Sequence, residues 1–387
     1  MKKAILLFYL FSITSVFSQN IEKSLLFKHS ETNLPIEDVT VYIIKTKQNL
    51  LSNTDGIVSF SMKDPTIIKF TNASYAPQSI KSINLKDIVT VIFLKKNVND
   101  LDEIVITKQH PQQILKKVVE NSIKKLTVPA RLKVYSREFF KLNGTYTHYK
   151  DGLINFQISE KNKNFDTTIF VDQNRSYGLI VQDVQDDLLG YNLNDIMGNY
   201  YTFKYLNPIL ESRARKEYDF IIKSNADNDA IYTLFVTPLD ETTGLRDDFK
   251  IIYDKKHKMI LEVSLFVSPM TISKLKEDKS EGAKNVFKSL FKAIYKVQGD
   301  DYYLISSKEE IGFNKIIKKQ LKKFEVRNYM ITTNFNTQKF SYKESEVFRD
   351  KALFNKKNTI FSDYWNNSGI TETDEENHII VELDSEN

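Results

Sequence analysis

The sequence predicts a mainly β protein: a small N-terminal β-sandwich, then a helix and a larger antiparallel β-rich domain of α+β character. Three observations carry this. The 387 residues include 26 Phe and 20 Tyr besides many Ile and Val, side chains that suit a pleated, half-buried surface. From Ile21 to Lys96, short apolar or alternating runs are separated by turn residues. Beyond them, longer alternating runs recur, with one clear helical stripe in front. The length favours two or three domains, because one core seldom grows past about 250 to 300 residues.

In the first domain, strands are expected over 23–27, 39–45, 57–62, 66–71, 78–83 and 89–94. Asn33-Leu34-Pro35, Thr54-Asp55-Gly56, Asp64-Pro65 and Ala76-Pro77 punctuate them as turns. In Val39-Thr40-Val41-Tyr42-Ile43 the alternation sets Val39, Val41 and Ile43 on one face, as a half-buried strand requires. Asp55-Gly56 marks a tight turn, since glycine reaches positive φ without steric cost. Such a density of strands predicts a small sandwich over residues 19–97.

These residues also carry a resemblance. Leu34-Pro35-Ile36-Glu37-Asp38-Val39-Thr40-Val41, Asn53-Thr54-Asp55-Gly56-Ile57-Val58-Ser59-Phe60 and Ile68-Lys69-Phe70-Thr71-Asn72-Ala73-Ser74-Tyr75 resemble, in order, successive strands and turns of the carboxypeptidase-regulatory-like domain. That family has a transthyretin-like fold and is common in exported envelope proteins of Gram-negative bacteria. A glycine usual in its first strand is missing near Ser24 and Leu25, and Ala73 or Ser74 stands where another glycine precedes the tyrosine. Leu101-Asp102-Glu103-Ile104-Val105-Ile106-Thr107 is similar to the motif that follows this domain in TonB-energised outer-membrane receptors. A receptor barrel of about 22 strands does not fit in the chain that follows, so residues 98–110 are read as a linker.

The second domain is expected over 111–345. Pro111 can open a helix, and Ile114, Leu115, Val118, Val119, Ile123 and Leu126 recur on one stripe opposite lysines and Glu120. Pro129 ends it. Runs over 133–142, 146–158, 167–171, 218–224, 230–238, 248–253, 259–267, 302–308 and 324–335 read as strands in a meander. Between them, Val286, Phe287, Leu290, Phe291 and Ile294 have helical spacing over 281–297, although a strand also tolerates them. The stretch Tyr135-Ser136-Arg137-Glu138-Phe139, and Tyr364-Trp365-Asn366-Asn367 with the acids after it, are similar to parts of a family of exported proteins of unknown function. The later hairpin resembles those of lipoprotein-carrier-like curved sheets. Residues 346–387 are read as a C-terminal tail.

Address and charge narrow the function classes. Lys2 and Lys3 precede an apolar run, and Val16-Phe17-Ser18 offers a cleavage site, so residues 1–18 are expected to be an export signal. Nothing later approaches a membrane-spanning run. No cysteine occurs, which removes disulfides, thiolate metal sites and a lipoprotein anchor. The expected location is the periplasm or the outer-membrane surface, as a peripheral protein rather than a lipoprotein. The formal charge of +5 falls to roughly +3 without the leader's two lysines. The basic runs 274–279 and 315–323 are read as solvated faces, and no nucleic-acid partner is expected.

No reactive motif stands out. The five histidines, at 29, 110, 148, 257 and 378, contain no helical metal pair. His148-Tyr149-Lys150-Asp151 is the nearest approach to a zinc ligand pair, but residues three apart on a strand face opposite ways, so exposed polar residues are the expectation there. The acid pairs Asp186-Asp187, Asp247-Asp248, Asp300-Asp301 and Glu309-Glu310 mostly fall where turns are expected, and Asp183 joins the first as a calcium alternative. No phosphate loop or nucleophile elbow appears. No catalytic residue, metal or cofactor is therefore assigned. The residues singled out are Arg137 and Glu138, as a structural ion pair or ligand contact, because one of two adjacent strand residues must point inward. Trp365, the only tryptophan, is expected to stack on a sugar or pack the tail. The expected function is non-enzymatic, a binding or assembly role towards envelope proteins or glycans. A carrier of a lipid or other apolar ligand and a hydrolase with an unrecognised carboxylate site are the alternatives.

Overall fold

The structure is a computed structural model that describes residues 21–86, 88–96, 103–161, 164–178, 192–224, 230–338, 341–353 and 356–385. The export leader, Leu101-Asp102 and the Asp183, Asp186 and Asp187 group lie outside the described residues. The fold is mainly β with a smaller helical content, as predicted. The chain divides into two compact units: one runs up to Lys96 and includes Trp365–Thr373, and the other holds Asn97–Tyr364 with Asp374–Asn387.

The first unit has two sheets. In one, β1 (Ile21–His29) lies between β4 (Ile57–Met62), antiparallel, and β7 (Val89–Leu94), parallel. The other has the order β3 (Gln48–Leu51), β2 (Thr40–Ile43), β5 (Ile67–Asn72), β6 (Tyr75–Lys81). Phe27, Val39, Val41, Ile43, Phe60 and Phe70 are among the side chains buried in the shared core, where the alternation of the sequence puts them. Gly56 adopts φ +74°, and a Cβ there would meet the Phe27 carbonyl oxygen at 2.5 Å, so this turn needs glycine. Two expectations change. Strand β3 was not foreseen, and Ala76-Pro77 lies within β6 instead of a turn; β6 is the edge of its sheet, where a missing N–H is tolerated. The tail is not loose either, because Leu51 N donates to the Gly369 carbonyl at 2.7 Å and Ser59 N to Thr371 Oγ1 at 2.7 Å.

The second unit is built on one ten-stranded antiparallel sheet. Strands β8 (Ala130–Leu142), β9 (Thr145–Lys161) and β10 (Asn164–Gly178) form one meander. A second meander comprises β11 (Tyr218–Ser224), β12 (Ile231–Pro238), β13 (Asp248–Asp254), β14 (Met259–Phe266), β15 (Lys284–Gln298), β16 (Asp301–Ile317) and β17 (Gln320–Asn336). They join where β17 pairs with β8, so the expected meander is two meanders stitched side by side.

The helical spacing read over 281–297 is overturned: these residues form β15. A register shift between Val286 and Lys288 leaves Phe287 as an extra residue in β15 and breaks the period of two there, and the resulting apolar spacing counts like a helix.

Helix α1 (Pro111–Lys125) forms as predicted, with the His110 side chain accepting from Gln112 N at 3.1 Å. Its Leu115 and Val118 pack into the core with Met197 and Tyr201 of α2 (Leu193–Tyr201) and Ile209 of α3 (Asn207–Leu210). The sheet contributes Val134, Phe156, Ile251 and Val263 to the same core. The short α4 (Pro269–Lys274) and the C-terminal α5 (Asp374–Ser385) were not foreseen.

Both outer strands of the large sheet are shielded, as exposed edges invite unwanted pairing. Asn174 and Thr359 exchange backbone bonds of 3.0 and 2.9 Å beside β10. The linker covers β11, with Val105 N donating to the Ile222 carbonyl at 2.9 Å and Ser224 N to that of Glu103 at 3.0 Å. No helix of the described residues is long and apolar enough to cross a membrane.

Candidate functional site

The densest chemistry of the second unit lies where β8, β9, β10 and β17 run side by side. The register sets Arg137 opposite Asp151 and Glu138 opposite Lys150, and alternation sends each pair to its own face. Sequence reasoning expected one of Arg137 and Glu138 to point inward. Both do, with exposures of 0% and 1%, because both faces are covered.

On the first face, Asp151 is a hub. Its Oδ2 accepts from the Tyr135 hydroxyl at 2.8 Å and the Tyr149 hydroxyl at 2.5 Å, and its Oδ1 from the Tyr364 hydroxyl at 2.5 Å. Arg175 Nε reaches Oδ1 and Oδ2 at 3.1 and 3.0 Å. The phenols are secured in turn: Arg175 donates to the Tyr149 oxygen at 3.1 Å and Arg137 Nε to the Tyr135 oxygen at 3.0 Å. Arg137 ends on Glu376 of α5 at 3.1 Å. Next to it, Arg327 donates to the Tyr146 oxygen at 2.7 Å, and that hydroxyl donates to Glu375 at 3.2 Å. Ile379, Ile380 and Leu383 of α5 seal the cluster against Phe139 and Tyr149. Burial, then the Asp151 charge, hold the Tyr149 hydroxyl far above its ordinary pKa, and burial pushes that of Tyr146 up to about 12. These phenols are donors, never phenolates, at physiological pH.

On the second face, Lys150 pairs with Glu138 at 2.8 Å and lies 5.2 Å from the Phe140 ring centre. His148 Nε2 is 3.2 Å from the Ser176 hydroxyl. Burial and the nearby Lys150 charge lower the His148 pKa to about 4, so its ring is neutral. Glu309 of β16 accepts from Asn328 at 3.2 Å, and burial raises its carboxyl. The expectation that His148, Lys150 and Asp151 are exposed is overturned: none is more than 3% accessible. The prediction that His148 and Asp151 diverge is met, since they lie on opposite faces. Among the described residues, no group of three or more His, Asp or Glu side chains is placed to hold a metal ion.

Of the remaining acid pairs, one divides between the two faces of the sheet. Glu309 and Glu310 lie mid-strand in β16 rather than in a turn; Glu310 faces away and binds Lys288 at 2.5 Å and Lys308 at 3.2 Å. Burial alone would raise its carboxyl, but those lysines pull it below the ordinary range. Burial raises Asp247 and Asp248, and Asp248 repels charge on Asp247. Asp247 and Glu309 both line a cleft of about 520 Å³ walled by Tyr200, Tyr205, Leu265 and Phe291. A second cleft of about 860 Å³ lies between the β12–β13 connection and α4, with Asp240, Arg246 and Lys274 on its wall. Trp365 is half-buried in the first unit.

An ionised carboxylate offers about four lone-pair positions, and those of Asp151 are taken by three phenols and a guanidinium. Such a group is a structural anchor and leaves no acceptor for a substrate proton. Sequence reasoning found Arg137 and Glu138 through their aromatic neighbours, but it read Asp151 as an exposed polar residue, placed Tyr364 and the acids after it only in a tail, and did not single out Arg175; their convergence depends on strand register and on α5.

No family model and no curated protein matches the chain. Solved structures show similarity at low identity. One is lipovitellin, described under lipid-protein interactions in lipovitellin, with TM-score 0.28 and 9% identity over 58% of this chain and 27% of that one. Another is MucB in complex with MucA(peri), TM-score 0.20 and 10% identity over 58% and 98%. A third is a putative membrane-associated protein of unknown function from Bacteroides fragilis, TM-score 0.16 and 7% identity over 82% and 98%. The chain thus spans about a quarter of the lipovitellin length and nearly all of the other two.

Proposed function

We propose that this is an exported, non-enzymatic envelope protein with a binding or assembly role, its first unit a carboxypeptidase-regulatory-like sandwich and its second a rigid sheet that presents surfaces to partners. The observation that carries the reading is the saturated Asp151 hub: the most deeply buried ionisable groups of the second unit are spent on one another and on α5. The Gly56 turn and the two-sheet arrangement of β1 to β7 support the sandwich assignment. The test is fractionation of cells producing the chain, followed by crosslinking and pull-down from the envelope fraction. Retention in the cytoplasm with the leader uncut would refute export. Hydrolytic turnover by the pure protein, abolished by a single carboxylate change, would refute the non-enzymatic reading.

Carriage of an apolar ligand is the second reading, favoured by the aromatic wall of the cleft at Tyr200, Tyr205 and Phe291. Against a broad carrier cavity, α1, α2 and α3 already fill the apolar face of the sheet, with Val118, Met197 and Ile209 fully buried. Native mass spectrometry of the purified chain separates the two, since a carrier retains its ligand.

A further inference from the structure

We infer that the tip of the β16–β17 hairpin is a docking surface for the anionic headgroups of a lipid bilayer. Residues 315–323 read Lys-Ile-Ile-Lys-Lys-Gln-Leu-Lys-Lys, five lysines with no acid, and the structure turns this run into a hairpin end. Ile317 pairs with Gln320, and the two-residue turn between them has φ +51° at Lys318 and +63° at Lys319, the backbone of a type I′ turn. Both turn lysines are exposed.

The register then concentrates the charge. Lys284 lies opposite Lys315, and Lys315 opposite Lys322, so three lysines form a row across β15, β16 and β17. Like charges set directly opposite on paired strands favour counter-charge nearby, and an anionic surface supplies it along the whole row. Among the described residues, three acids stand at this end against six lysines: Glu281 accepts backbone N–H groups of Lys318 and Lys319 at 2.5 and 3.3 Å, Glu325 pairs with Lys323 at 3.0 Å, and Asp278 is bonded through its backbone to Asn285 beside Lys284.

A soluble polyanion would need only the lysines. The tip also carries apolar surface, with Leu321 58% exposed opposite the half-buried Ile316. Below it, Phe313 and Phe324 stack at 4.9 Å with Ile317, Leu142 and Val286 packed around them, so the tip is a supported wedge. Lysines that flank an exposed leucine on a rigid turn suit the boundary between headgroups and acyl chains.

This deepens the envelope reading and rests on it only for where lipid is met; vesicle binding and envelope pull-down can each fail without the other. The experiment sediments the full-length protein with vesicles of equal parts phosphatidylcholine and phosphatidylglycerol, and with phosphatidylcholine alone. The wild type should bind the mixed vesicles only, and less at high salt. Lys318→Asn with Lys319→Gly removes two charges while supplying the residues this turn prefers, and partitioning should fall by about 30-fold. Leu321→Gln should weaken it by about tenfold, with circular dichroism unchanged for both variants. No binding by the wild type, or unaltered binding by the turn variant, overturns the inference. Equal binding to heparin that Leu321→Gln leaves unchanged also overturns it, in favour of a soluble polyanion.

Discussion

Replacing Asp151 by Ala removes the acceptor on which three phenols and Arg175 converge. Arg175 is 5% exposed and Asp151 is fully buried, so the substitution leaves a guanidinium in a low-dielectric setting without its counter-ion. Breaking a buried pair in this way costs about 3 to 5 kcal/mol. The stranded phenols of Tyr135, Tyr149 and Tyr364 add to this less than their separate worth, because members of one network are not additive. Against a total stability of about 5 to 15 kcal/mol, the loss is large. With a urea slope of about 3 kcal/mol/M, the transition followed by far-ultraviolet circular dichroism should move down by about 1 to 1.7 M. Asp151→Ala combined with Arg175→Met removes both charges and should recover at least half of the loss. A single-variant cost below about 1 kcal/mol, or a double variant that loses the sum of both singles, would show that Asp151 is not the anchor described.

Three further outcomes are expected. His148 is buried and its pKa is lowered to about 4, so the unfolded chain binds a proton that the folded chain refuses between pH 6.5 and 4; stability should fall with decreasing pH across that window by roughly 3 kcal/mol, and His148→Gln should flatten the profile in urea titrations. Gly56→Ala places a Cβ 2.5 Å from the Phe27 carbonyl oxygen at φ +74° and should cost about 1 to 3 kcal/mol, read from Trp365 fluorescence because that residue belongs to the same unit. Glu376→Gln leaves buried Arg137 with a weaker partner, so α5 should be cut sooner in limited proteolysis, whereas an unchanged cleavage rate would show that the ion pair does not hold the helix down.

The strands were legible where period-two alternation survives. Strands 57–62, 89–94 and 218–224 fall on the stretches the alternation marks, and α1 falls on the stripe begun by Pro111. The bulge at Phe287 hid β15 by shifting the apolar residues on its two sides between faces. Helix α2 was hidden because Tyr200 and Tyr201 weigh towards strand in a composition count, although Asn192 caps it. Three acids open α5, a favourable helix start, yet they read as an acidic tail when no partner was in view. At the site, Tyr135 and Phe139 betrayed the buried strand that holds Arg137 and Glu138. Local sequence does not encode which strand lies beside another, so the union of Arg137 with Glu376, 239 positions away, had to come from the fold.

The contribution of residues 367–371 to the first unit sets the timing of its completion. Asn53, Ser59 and Ser61 bond to residues 318, 312 and 306 positions later. At synthesis rates of about 5 to 20 residues per second, that interval lasts roughly 15 to 60 s. Throughout it the Leu51 amide lacks the Gly369 carbonyl that ultimately receives it, so the unit reaches its final form only after residues 367–371 arrive.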